Sequence, residues 1–110
     1  FGSDWPVEPL DPRRGLYSAV TRKNIEHDYP DGGWFPEQRL SLAEAIQCFT
    51  SGSAYASFEE KLKGTLEPGK LADLTVFGQD IFSHEPKEIL TVPVIYSIVG
   101  GKIVYQSERS

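Results

Sequence analysis

"VIYSIVGGKIVY", residues 94–105, decides how the second half of this chain folds. Two runs of β-branched and aromatic residues flank Gly100-Gly101. A Gly-Gly pair between such runs signals a tight hairpin, because glycine accepts the positive φ that matches the turn to the twist of its strands. Residues 94–99 and 102–105 therefore read as antiparallel strands. Upstream, "GTLEPGKLADLTVF" at 64–77 places Pro68 and Gly69 at the two central positions of a type II turn. "LADLTVF" then alternates as a third strand. Asp73 interrupts it, and aspartate is disfavoured in strands, so its expected role is to hydrogen-bond a neighbouring turn. Three strands cannot bury both faces of a sheet alone, so this half calls for a covering layer.

Residues 1–62 follow a helical period instead. Pro6, Pro9 and Pro12 punctuate an opening loop, and Asp11 is placed to cap a helix with Pro12 at its first position. Leu16, Tyr17, Val20 and Ile25 give that helix its apolar stripe. Residues 24–39, with two prolines, two glycines and four acids, read as an irregular surface loop. Ser41 and Glu44 form a capping box with Leu40 at the staple position. Leu42, Ala45, Ile46 and Phe49 then share one helical face. Gly52 is expected to end this helix, and a shorter one is expected over Ala54 to Lys63, stopped by Gly64. The fold class is α/β, or α+β for the piece in isolation.

Composition sets the outer bounds. At 110 residues the chain makes one domain or part of one. Apolar residues at 39% and aromatics at 12% indicate a packed core rather than disorder. A net charge of -5 argues against nucleic acid or an anionic membrane as partner, because phosphate binding needs clustered Lys and Arg. No apolar run approaches the ~20 residues of a membrane-spanning helix. The single Cys48 excludes an internal disulfide and suits a reducing compartment, so a cytoplasmic location is expected. No methionine occurs, which leads to the expectation of a processed chain or a piece of a longer one.

Candidate chemistry centres on Asp4, in "FGSDWPV". As a loop residue it would simply cap a turn. As an acid at the C-terminal end of a strand it would occupy the place where α/β barrels keep their catalytic groups, and could hold a metal-bound water and take its proton. One carboxylate does not make such a site. His27 and His84 lie far apart with no metal-binding spacing and read as solvated loop residues. The "EHD" run at 26–28 reads as a solvated acidic face. Cys48 sits mid-helix as an inert, partly buried thiol. Ser3 has no general base near it in sequence, and no nucleophile-elbow, P-loop or dinucleotide glycine pattern is present.

"GSDWPV", "PEQRLSLAEAIQCFTSGSAYASFEEKLKGTLEPGKLADLTVF" and "VIYSIVGGKIVY" together resemble the C-terminal end of an amidohydrolase-superfamily enzyme. Within it, the amidohydrolase 3 group (the YtcJ-like branch) is the nearest likeness. The resemblance implies a (β/α)8 metal-dependent hydrolase barrel plus a small composite β-sandwich built from both chain ends. Residues 1–62 would be the C-terminal end of the barrel, with 1–4 as its eighth strand. Residues 63–110 would be the C-terminal strands of the sandwich. It further implies hydrolysis of non-peptide carbon–nitrogen bonds by a metal-activated water. Asp4 would be metal ligand and general base, and Trp5 and Pro6 would line the substrate pocket. The parent enzyme would hold a divalent metal, zinc foremost, and act on a small-molecule amide; this piece alone would bind no metal and be inactive. The alternative is a non-catalytic truncated module that docks on a partner or self-associates. Open sheet edges lead to an expected homo-oligomer in either case.

Overall fold

The computed structural model describes residues 1–108. The first helix, α1 (Pro12–Thr21), starts as its sequence dictates. Asp11 is extended, its carboxylate accepts the Arg13 N–H at 3.0 Å, and Pro12 needs no amide partner at the first position. Arg22, in the left-handed region at φ 54, ends the helix by returning its N–H to the Ser18 carbonyl. Helix α2 (Leu42–Phe49) opens with the expected capping box: Ser41 Oγ accepts from Glu44 N at 3.2 Å, and Glu44 Oε2 accepts from Ser41 N at 2.8 Å.

Two helix boundaries differ from expectation. Thr50, at φ -115 and ψ -87, breaks the path ahead of Gly52, which lies inside the next helix, α3 (Ser51–Ala56). That helix stops at Ala56 rather than running to Lys63. Phe58 takes a left-handed φ of 62, and Glu59 N–H turns back to the Ala54 carbonyl at 2.8 Å. Gly64 then has φ +103, with its missing Cβ only 2.8 Å from the place of Ala54 Cβ, so only glycine fits this return.

The sheet has order β1-β2-β3, all antiparallel, from β1 (Leu74–Phe77), β2 (Val94–Val99) and β3 (Lys102–Gln106). Thr75 pairs with Ser97 on one side, and Ser97 with Tyr105 on the other. Gly100 and Gly101 both have positive φ, 57 and 80, as a hairpin turn of this length demands. Asp73 performs the structural role its position suggested: its carboxylate accepts the Gly100 N–H at 2.8 Å, and the Ala72 carbonyl accepts from Gly101 at 3.0 Å. These turn contacts shorten the expected strand over 71–77 to Leu74–Phe77.

The core belongs to the helices. Leu16, Ala45 and Ile89 are buried together, with Ala19, Val20, Leu40, Leu42, Ile46 and Phe49 packed around them. Ile89 comes from α4 (Pro86–Ile89), a short helix inside a stretch whose sequence reads as turn-rich. Arg13 ties the layers: it grips Asp11 with two nitrogens and donates to the Val92 carbonyl at 2.7 Å. Among the described residues the chain forms a small mixed α/β piece without a barrel. Residues 1–3 form no strand, because no neighbouring strand offers them a ladder.

Candidate functional site

The approach to Asp4 is fixed from beneath by the junction of α2 and α3. The Phe1 ring stands edge-on to Phe49, centroids 5.6 Å apart. Ser53 Oγ donates to the Phe1 carbonyl at 2.7 Å and also lies 3.1 Å from the Cys48 carbonyl. Cys48 carries one of the last carbonyls of α2, which the helix itself leaves unpaired. Asp4 then opens a turn at φ 51, closed by Val7 N–H on the Asp4 carbonyl at 2.9 Å. The backbone closes this turn, so the carboxylate is not its cap.

Asp4, Trp5 and Pro6 are all exposed, Trp5 by 63%. The Asp4 carboxylate accepts no hydrogen bond among the described residues, whereas those of Asp11, Asp28, Asp73 and Asp80 each hold a helix, loop or turn in place. Asp31 is the other aspartate without such a bond. A pocket of about 480 Å³ opens beside the segment, with Gly2, Ser3, Glu8, Arg14, Lys23 and Glu26 in its wall. Asp4, Trp5 and Pro6 are not part of that wall. Arg14 donates to Glu26 at 3.0 Å and holds that carboxyl below its usual range, while Arg14 Nε is buried with no partner.

The acidic loop is more ordered than its composition suggests. Buried Tyr17 donates its hydroxyl to Asp28, whose carboxylate also meets Lys23 Nζ at 3.6 Å. Burial, reinforced by the Asp28 carboxylate, pushes the Tyr17 hydroxyl above its ordinary value. The Tyr17 hydrogen bond, then the Lys23 and Lys87 charges, hold Asp28 below its own. An isolated bridge between Asn24 and Tyr29 closes the loop, with His27 exposed at its tip. Sequence reasoning missed this anchor and the Ser53 seat, because neither partner's spacing carries a pattern.

No group of three or more His, Cys, Asp or Glu side chains capable of holding a metal ion occurs among the described residues. His84 pairs with Glu88 at 3.1 Å on α4, and Cys48 is a half-buried free thiol. No helix is long and apolar enough to cross a membrane among the described residues.

A family model described as "Amidohydrolase family" matches residues 1–105. The chain is 36% identical over 105 residues to "Putative amidohydrolase YtcJ" of Bacillus subtilis, covering 96% of this chain and 20% of that protein. It is 34% identical over 105 residues to "Protein LONG AFTER FAR-RED 3" of Arabidopsis thaliana, covering 96% and 17%. It is 26% identical over 110 residues to "N-substituted formamide deformylase" of Arthrobacter pascens, covering 100% and 20%. The chain therefore spans about a fifth of the length of the curated relatives it matches. No solved structure matches it. The match over nearly every residue, including both the Asp4 turn and the Gly100-Gly101 hairpin, establishes that this chain belongs to the amidohydrolase family.

Proposed function

We propose that this chain is the C-terminal portion of a hydrolase of carbon–nitrogen bonds other than peptide bonds. Asp4 is its catalytic carboxylate and metal ligand, and Trp5 and Pro6 line its substrate pocket. The observation that supports this reading is the family match over residues 1–105, which takes in Asp4, an exposed carboxylate that accepts no hydrogen bond among the described residues. A carboxylate left free in this way can orient a water and accept its proton, a contribution of roughly 10²–10⁴-fold in rate. The relative named for N-substituted formamides supplies the first substrates to try.

The family resemblance implies a divalent metal, zinc foremost, but the residues of this chain do not fit one by themselves. Such a site needs about four ligands, and Asp4 has no clustered companion among the described residues. Asp4 is one donor, and residues 1–110 alone are inactive. The free Cys48 suits a cytoplasmic setting for the parent. The test compares the 110-residue chain with the complete protein, each with and without Asp4→Asn, for zinc content and hydrolysis of N-substituted formamides. The expected result is stoichiometric zinc and turnover in the complete protein alone, with turnover falling at least a hundredfold in the variant. Turnover by the 110-residue chain, or an unaffected variant, overturns the reading.

The open edges favour a second reading, a self-associating module. Strands β1 and β3 are both edges, and every residue of β3 is exposed. Unpaired edges invite pairing with another copy. Light scattering at high concentration should show a dimer or larger assembly of the 110-residue chain; a clean monomer removes this reading.

A further inference from the structure

We propose that Arg13 is a positioning residue for the loop that carries Trp5 and Pro6, which deepens the reading above and rests on it. Residues 5–10 are all exposed. Among the described residues they make a single hydrogen bond, from the Val7 N–H to the Asp4 carbonyl at 2.9 Å. Downstream of that turn the first fixed point is Asp11. Its carboxylate accepts the Arg13 N–H at 3.0 Å, Arg13 Nε at 2.9 Å and Arg13 Nη2 at 2.7 Å. Arg13 Nη1 donates to the Val92 carbonyl at 2.7 Å, 79 positions along the chain.

Val92 is a firm point of attachment. It is 2% exposed, and its N–H donates to the Glu88 carbonyl of α4 at 3.2 Å. The carbonyl of the next residue, Pro93, accepts the Gly78 N–H just beyond β1 at 2.8 Å. Arg13 therefore fastens the downstream root of the loop to the start of α1 and to the segment that leads into β2. The guanidinium suits this task, because its donors are fixed in one plane: gripping Asp11 aims the remaining nitrogen at the carbonyl. The bond to Val92 is charge-assisted and half-buried, which makes it the stronger part of the fastening. A loop freed at this root samples more positions, and substrate binds only the fraction in which Trp5 and Pro6 face it. Apparent affinity falls by that fraction, while chemistry in the bound fraction is unchanged, so losing Arg13 acts on KM rather than kcat. Arg13 touches no substrate; it works through Asp11 and the loop.

The experiment uses the complete protein with Arg13→Gln, Asp11→Asn, Trp5→Ala and the Arg13→Gln/Trp5→Ala pair. It reads kcat and KM on N-substituted formamides, and the rate at which chymotrypsin cuts after Leu10, identified by mass. Arg13→Gln should raise KM by roughly 3–10-fold, as expected for one lost hydrogen bond, with kcat unchanged within about twofold. Cleavage after Leu10 should accelerate by roughly the same factor, because it follows the opened fraction of the loop. Asp11→Asn keeps the helix cap and leaves the Arg13–Val92 bond in place, so its KM should stay within about twofold of the parent's. In the Trp5→Ala background Arg13→Gln should add less than about twofold to KM, since the side chain it places is gone. Unchanged KM and cleavage in Arg13→Gln, a fall in kcat at constant KM, or an Asp11→Asn protein as impaired as Arg13→Gln overturns the proposal. If Trp5→Ala leaves KM intact the pocket reading fails on its own, and cleavage after Leu10 still decides whether Arg13 holds the loop.

Discussion

The helical layer and the sheet of this molecule are held by different physics. Helices α1, α2 and α4 bury Leu16, Ala45 and Ile89 against one another, and Tyr17 beside them is 1% exposed. No residue of the three strands is buried, and β3 is exposed along its whole length. Ile103 and Val104 stand in water there. The sheet is nonetheless well paired, because its register is set locally by the Gly100-Gly101 turn and its clasp from Asp73. Pairing and burial are thus separate achievements. A hairpin can be specified by a dozen residues, whereas hydrophobic stabilisation needs a second surface. Between the two layers lies an apolar cleft of about 960 Å³, with Leu16, Phe49, Phe77 and Ile98 in its walls.

Substitutions in the core put this contrast at greatest risk. Leu16→Ala should cost about 2–5 kcal/mol in urea unfolding, while Ile103→Ala on the exposed strand should stay within about 0.5 kcal/mol. Equal losses would mean that the sheet is covered in solution. Asp73→Ala probes the sheet's own device. It should cost about 1 kcal/mol by leaving the Gly100 N–H without its acceptor, and should loosen the hairpin amides in exchange while those of α1 stay protected. If α1 loosened equally, the two layers would be one cooperative unit.

Local chemistry was legible in the sequence, and tertiary placement was not. The Ser41–Glu44 box, the Asp11 cap, the type II turn at Pro68-Gly69 and the glycine hairpin each depend on neighbours within four residues, and each stands where the residues indicate. The break at Thr50 rests on a backbone conformation that no local pattern announces. Helix α4 is only four residues long, and Ile89 matters because α1 and α2 meet it. The Tyr17–Asp28 anchor joins residues eleven positions apart through a loop that turns back on itself. At the candidate site, Asp4 was singled out by sequence, but a strand leading to it needs a flanking strand, and among the described residues Phe1 meets Ser53 instead. Ser53 was invisible for the same reason, being one of several serines until the fold placed it under Phe1.

A weaker, electrostatic difference also separates the layers. The Arg13 side-chain hydrogen bond holds Asp11 below its ordinary carboxylate value, with the Arg13 and Arg14 charges adding to it. A carboxyl depressed in the folded state contributes stability that is present above its unfolded value and lost as pH falls through the folded one, so the loss should fall below about pH 4. The pair is partly solvated, so its net worth after screening is well under about 1 kcal/mol. Asp11→Asn keeps the helix cap and removes the charge. It should therefore leave the melting temperature at pH 7 slightly lower and flatten its fall below about pH 4. Asp80, ahead of the sheet's second strand, is also depressed, first by the Ser83 hydroxyl and the Phe82 N–H, with the His84 charge adding least. Asp80→Asn keeps one acceptor oxygen for the Phe82 N–H and turns the other position into an NH2 that can donate to the Ser83 hydroxyl, and should change the acid limb less than Asp11→Asn does. An equal change at the two positions would mean that the helical layer owes nothing to the Arg13 clamp beyond what an ordinary turn supplies.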